Sequence, residues 1–247
     1  MIEIDWIALF ASRTASRELL PWPHARTLTD NELRLVSGSI QQFQLGEGSD
    51  GSGLIRRGLE SRLAALNPNF IPSLELFIKE EQRHSRHLAS FLQREGVTLL
   101  QQHWVDRVFR RVRKFAGLEL CLRVLVMAEI VAVPYYTALQ RATGSAILQR
   151  ICANILADEG DHLRFQAENL KQLQSSRRSL PGLELIFWRC FQLATLIVVW
   201  REHGKVLRTA GYGWNSFRKE CVRLLVAVSD HECKARAAEE QVLAAAK

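Results

Sequence analysis

The sequence predicts an all-α protein in which four long helices form a bundle, with a short helix before it and further helices after it. Two observations carry that reading. Period-two alternation is absent, while long segments repeat apolar residues at three- and four-residue spacing. In four of those segments the apolar stripe also carries a glutamate, where a packed helix tolerates it least.

Turn signals cut the chain at Leu20–Arg26 (LPWPHAR), Asn67–Pro72 (NPNFIP), Glu95–Val97, Ser175–Gly182 (SSRRSLPG) and Gly211–Trp214. The pieces are an opening helix and linker (1–29), a four-helix bundle (30–174) and a C-terminal helical extension expected to pack on that bundle (175–247). Thr29–Asp30–Asn31–Glu32 has capping-box spacing and should start the first long helix. Its stripe is Leu33, Val36, Ile40 and Phe43, and the next position along it is Glu47. On the second helix Leu74, Phe77, Ile78, Leu88 and Leu92 centre on Glu81, with His84 at the edge of the stripe. On the third, Leu118, Leu122, Leu125, Val126, Val133 and Tyr136 centre on Glu129, and Pro134 should kink the helix just beyond it. On the fourth, Leu148, Cys152, Ile155, Leu156, Leu163 and Leu170 centre on Glu159, with His162 three residues on.

Composition narrows the function classes. The 247 residues are 47% apolar and 24% charged, as in an ordinary globular protein. Five scattered cysteines without a CxxC pair argue for reduced thiols in a cytoplasmic setting and against a zinc ribbon. The start, MIEIDWIALFASRTASRELL, lacks the basic segment and long apolar run of a secretory signal. The most apolar run, Leu183–Trp200, is interrupted by Glu184, Arg189 and Gln192, so a core helix is expected there and no membrane span. A net charge of +7 permits an acidic partner without requiring one.

Carboxylates at the centre of apolar faces would protonate or prevent packing unless a cation offset them. By angular count the nearby Lys and Arg residues point away from the stripes, which leaves a pair of divalent metal ions. Glu and His at i and i+3 project from one turn in the same direction, so each Glu-x-x-His can reach one ion. The pattern is Glu47, Glu81-x-x-His84, Glu129 and Glu159-x-x-His162. The intervals of 34 residues (Glu47 to Glu81) and 30 (Glu129 to Glu159) suit antiparallel helix pairs, and the 48 between Glu81 and Glu129 allow a crossover. Glu47 lies in GEGSDGSG, where the glycines either leave room beside the metals or place it in a loop between two shorter helices.

Over residues 30–174 this order of motifs resembles the ferritin-like di-iron carboxylate superfamily, which includes ferritins, rubrerythrins, ribonucleotide reductase small subunits and aldehyde-deformylating oxygenases. The resemblance implies a ferritin-like four-helix bundle with a di-metal centre and two iron ions per chain, or manganese in one or both sites. It makes Glu47, Glu81, His84, Glu129, Glu159 and His162 the expected metal ligands. Dioxygen activation follows from it, with electrons from a separate reductase or ferredoxin-type donor. The extra C-terminal helices, the missing CxxC and the apolar lining (Leu125, Val126, Val133, Phe77, Leu163) lean toward oxygenase or oxidase work on a small hydrophobic substrate. The alternatives are a ferroxidase that handles iron, and an RNA-modifying di-iron hydroxylase using the basic run Arg107–Lys114 (RVFRRVRK), which ordinarily is a solvated face. A homodimer fits the enzyme reading better than a storage cage does.

Other side chains are secondary. Tyr136, two turns from Glu129, is the candidate for a catalytic electron relay and otherwise a core tyrosine. Glu80, His87, Asp158 and Asp161 flank the motifs as solvated groups or as partners of the ligands, with Asp158 and Asp161 the candidates to orient an imidazole. His203, in WREHGK, reads first as a structural histidine and second as an extra ligand or a substrate contact.

Overall fold

The computed structural model describes residues 4–114, 117–174 and 181–245. Every regular element among them is helical. The helices are α1 (Trp6–Glu18), α2 (Asp30–Glu47), α3 (Ser52–Leu59), α4 (Arg62–Leu66), α5 (Phe70–Arg94), α6 (Trp104–Lys114), α7 (Leu118–Arg141), α8 (Ala146–Gln174), α9 (Pro181–Thr209) and α10 (Trp214–Ala245). None of the described helices is long and apolar enough to cross a membrane.

The four long helices that carry the glutamates are α2, α5, α7 and α8. Helix α2 packs on α5, α7 on α8, and α5 closes against α8. Helix α1 covers the far side of α5, α9 lies on α7 and α2, and α10 lies on α8 and α7. The C-terminal helices therefore rest on the other long helices. Leu74, Phe77, Leu88, Leu122, Ile130, Leu148, Ile155 and Leu170 share one continuous core.

Local chemistry sets the ends of the elements. Asp5 caps α1, its carboxylate accepting from the Ala8 amide at 2.9 Å. The expected capping box opens α2, with Thr29 Oγ1 accepting from the Glu32 amide and Glu32 accepting from the Thr29 amide. The second Glu32 oxygen also accepts from Gly144 N at 2.6 Å, tying that end of α2 to the α7–α8 turn. At the end of α5, buried Glu95 accepts from the Thr27 amide, the Thr27 hydroxyl and the Leu28 amide, which pins the linker to the bundle. Gly51 takes φ +71° and lies so close to Ile78 that a Cβ would fall 2.6 Å from its side chain, so the turn after α2 runs flat against α5 only with glycine there.

One expectation needs correction. Phe70, Ile71 and Pro72 are not loop but the first turn of α5, where a proline costs nothing because the amides there have no intrahelical acceptor. Helix α7 runs unbroken through Pro134 from Leu118 to Arg141. Of the expected loop at 175–182, residues 175–180 lie outside the described residues, and Pro181 and Gly182 open α9. On α6 the described basic side chains, Arg107 and Arg111, are exposed, whereas those of residues 110, 113 and 114 lie outside the described set.

Candidate metal centre

Helix geometry brings all six expected ligands to one place. Ligand-capable atoms of Glu81, Glu129, Glu159 and His162 lie within 4.8 Å of one another, as do those of Glu47, His84 and Glu159. Glu159 belongs to both groups. Glu47 resolves the ambiguity of its glycine-rich setting by being the last residue of α2, with Gly48 as the C-cap. The freed end of α2 is held to α5 by Ser85, whose hydroxyl donates to the Gln44 carbonyl at 2.9 Å. His84, placed at the edge of its stripe by periodicity, is fully buried.

The atoms that face one another lack ordinary partners. Both carboxylate oxygens of Glu159, Oε1 of Glu81 and the Nδ1 atoms of His84 and His162 are buried without a hydrogen bond among the described residues. Yet they are close: His162 Nδ1 is 3.0 Å from Glu81 Oε1, 3.7 Å from Glu159 Oε2 and 4.0 Å from Glu129 Oε1. Buried polar atoms are almost always hydrogen-bonded, and leaving one without a partner costs about 1–3 kcal/mol. Five in one pocket, all able to ligate a metal, fit a bound cation and no apolar filling.

Burial pushes the Glu47 carboxyl well above the usual carboxylate range, and the charges of Glu81 and Glu159 push it further. Glu129 rises for the same reason, burial first and then Glu159 and Glu81. For Glu81, burial acts upward, but the imidazoles of His162 and His84 outweigh it and hold the carboxyl at about 2. Burial would lower His162, but Glu159, Glu80 and Glu81 around it carry it well above its ordinary value. Without metal the cluster therefore keeps protons that dications would displace.

Behind the imidazoles the arrangement is the opposite. His84 Nε2 donates to Asp158 Oδ2 at 3.0 Å, and His162 Nε2 to Glu80 Oε2 at 3.0 Å. Each acid precedes a motif glutamate by one residue, and each reaches across to the imidazole of the other helix. Arg83, only 2% exposed, donates to Glu80 Oε1 at 3.0 Å and to Asp158 Oδ2 at 3.1 Å. From α1, Arg17 meets Asp158 Oδ1 at 2.7 Å, and Arg13 meets Asp158 and Asp161. The arginines near the motifs meet these outer acids and not the stripe glutamates. Arg83 does point away from the stripe, but α1 and α8 bury that side of α5 as well. Asp158 orients an imidazole as expected, whereas Asp161 pairs with Arg13 instead, and His87 is buried edge-on to Trp22.

Two more side chains hold the carboxylates. Tyr136, expected beside Glu129, donates its hydroxyl to Glu47 Oε1 at 2.8 Å. Gln166, one turn beyond His162 and missed by the sequence reading, donates to Glu129 Oε1 at 3.0 Å. Arg83, Arg13, Arg17 and Ser39 escaped it too, and Glu80, expected only as a flanking group, is the acceptor behind His162. The repeated acid–glutamate dipeptides Glu80–Glu81 and Asp158–Glu159 were the available signal for the first pair of outer acids.

Two cavities reach the cluster. One of 150 Å³ touches Glu47, Glu81 and Glu129 and is walled by Phe43, Val124, Leu125, Ala128, Val131, Ala132 and Val199, with His203, His103, Gln42 and Asp106 among its lining. The other, of 410 Å³, touches Glu47 and Glu81 beneath the Asp50–Gly51 turn and α3, whose Arg56 and Arg57 also line it. Gly46 lines both, and a Cβ there would meet nothing within 4 Å. No protein-family model, curated protein or solved structure matches the chain.

Proposed function

We propose that the chain is a ferritin-like di-metal protein that binds two iron ions, or manganese in one or both places, and oxidises a small apolar substrate with dioxygen. The observation that carries this reading is the set of buried, facing carboxylate oxygens and Nδ1 atoms that have no hydrogen bonds. Glu81, Glu129, Glu159 and His162 would hold one ion, and Glu47, His84 and Glu159 the other. The bound ions supply dioxygen reduction, with electrons from a separate donor protein.

The remaining residues have definite tasks. Asp158 and Glu80 accept from the Nε2–H groups of His84 and His162, which fixes the tautomer and turns each Nδ1 lone pair toward the cluster. Tyr136 keeps a proton on its phenol oxygen against Glu47, and burial raises that phenol well above its usual value. Gln166 orients Glu129. The apolar walls of the 150 Å³ cavity would give a substrate a mostly apolar approach to the carboxylates.

Anaerobic loading with Fe(II), followed by oxygen and a supplied reductant, tests the assignment. Sustained oxygen uptake over many turnovers, stimulated by an apolar compound that fits the cavity, is the expected result. Uptake that stops when the added Fe(II) is consumed, with ferric mineral as product, would establish the ferroxidase reading instead.

A further inference from the structure

His203 is buried, 6% exposed, and lines the 150 Å³ cavity, yet none of the tasks above uses it. Its surroundings define its tautomer. Ser39 Oγ donates its one proton to the Tyr135 hydroxyl at 3.0 Å and lies 2.8 Å from His203 Nδ1. The second contact must then be a donation from His203 Nδ1–H to Ser39, because a hydroxyl has a single proton to give. A neutral imidazole protonated at Nδ1 carries its lone pair on Nε2. No described group hydrogen-bonds that Nε2. The ring itself is clamped, with Phe43 at 4.8 Å and Tyr135 at 5.2 Å between centroids.

We propose that His203 Nε2 anchors the substrate, accepting a hydrogen bond from the hydroxyl or amino group of a small uncharged ring or short-chain compound whose apolar body extends toward the carboxylate cluster. This deepens the oxidase reading and rests on it for the chemistry, though not for the binding. Size fits: a cavity of this volume lined by apolar side chains holds a benzene-sized molecule. Placement fits as well. Ser39, which fixes His203, and Glu47, which faces the cluster, both lie on α2, and eight residues of helix separate them by about 12 Å. Charge excludes anions. Among the described residues the cavity lining includes Glu47, Glu81, Glu129 and Asp106 and no Lys or Arg. Burial, then the nearby His103, depresses the His203 imidazole to about 3, so it stays neutral and offers no positive charge to an acid.

Equilibrium binding of benzene, phenol, aniline and pyridine to the full chain at neutral pH tests the anchor, with iron content measured on the same samples. Phenol and aniline should bind about three- to tenfold tighter than benzene, the worth of one neutral hydrogen bond, and pyridine, which can only accept, should bind weaker than benzene. His203→Leu should reverse the order, so that phenol binds more weakly than benzene, whose retained affinity shows the cavity is intact. His203→Gln, which offers both donor and acceptor, should erase the discrimination between phenol and pyridine and guards against a leucine variant that misfolds. Equal affinity for phenol and benzene in the parent chain, or pyridine binding as tightly as phenol, overturns the anchor even with two irons bound. A phenol preference that persists in protein unable to bind iron would instead sustain the anchor and overturn the metal reading.

Discussion

His84 and His162 have two sides, and the two are built differently. On the outer side, Glu80 and Asp158 are as deeply buried as the inner glutamates, but Arg83, Arg13 and Arg17 meet them at hydrogen-bond or ion-pair distance. On the inner side, Glu159 is equally buried, and among the described residues it meets no arginine and its two oxygens have no hydrogen bond. The same fold that closes one set of buried carboxylates with guanidinium groups leaves the other open. Burying a carboxylate without a counter-charge is among the costliest things a core can contain. On the proposed reading, the open set is the receptor for cations and the closed set is the frame that aims it.

Breaking the inner side should have the largest effect. Glu159→Ala removes the one residue shared by both groups, so neither ion should survive dialysis, an affinity loss beyond the roughly 100-fold that outer partners give. Metal per chain by mass spectrometry checks this. Next comes Arg83→Met, which leaves Glu80 and Asp158 buried without their shared guanidinium. It should destabilise the metal-free protein by about 3–5 kcal/mol in denaturant unfolding. Asp158→Asn should weaken metal binding about 10- to 100-fold, because a neutral amide is a weaker acceptor for His84 Nε2–H and can turn its NH2 toward the ring, freeing the tautomer. A smaller effect is expected of Tyr136→Phe, which deletes the donor to Glu47 and should cost about 1 kcal/mol in thermal unfolding.

The smallest effect lies far from the site. Glu32 is held below the ordinary carboxylate range, first by the Gly144 amide and then by Thr29. Its folded value is depressed, so its contribution is complete above the usual carboxylate value and fades as pH falls through the lower, folded one. Glu32→Gln should remove that acid-side loss and cost at most about 1 kcal/mol at neutral pH. A stability-against-pH comparison of the two proteins measures it.

Much of the inner side was legible in sequence, because a glutamate at the middle of an apolar stripe is a statement about burial that periodicity makes directly. Glu81, Glu129 and Glu159 were readable in that way, and His162 followed from its spacing to Glu159. Glu47 was readable as the next position on its stripe, but glycines at 46 and 48 left a loop open there, and the seating of α2 on Ser85 shows where the helix stops. The outer side was hidden for a different reason. Arg83 stands two residues from Glu81, on the face that an amphipathic pattern assigns to solvent, and α1 buries that face from more than sixty positions away in the chain. The link from Ser39 to His203 spans 164 residues and leaves no periodic trace at all.

The most direct test is a crystal of the full chain soaked anaerobically in Fe(II) or Mn(II), with anomalous difference density measured at the metal edge. Two peaks are predicted between Glu159 and the Nδ1 atoms of His84 and His162, with Arg83 still bridging Glu80 and Asp158 behind them. Density confined to the surface, with the inner carboxylates hydrogen-bonded to one another or to water, would contradict the account.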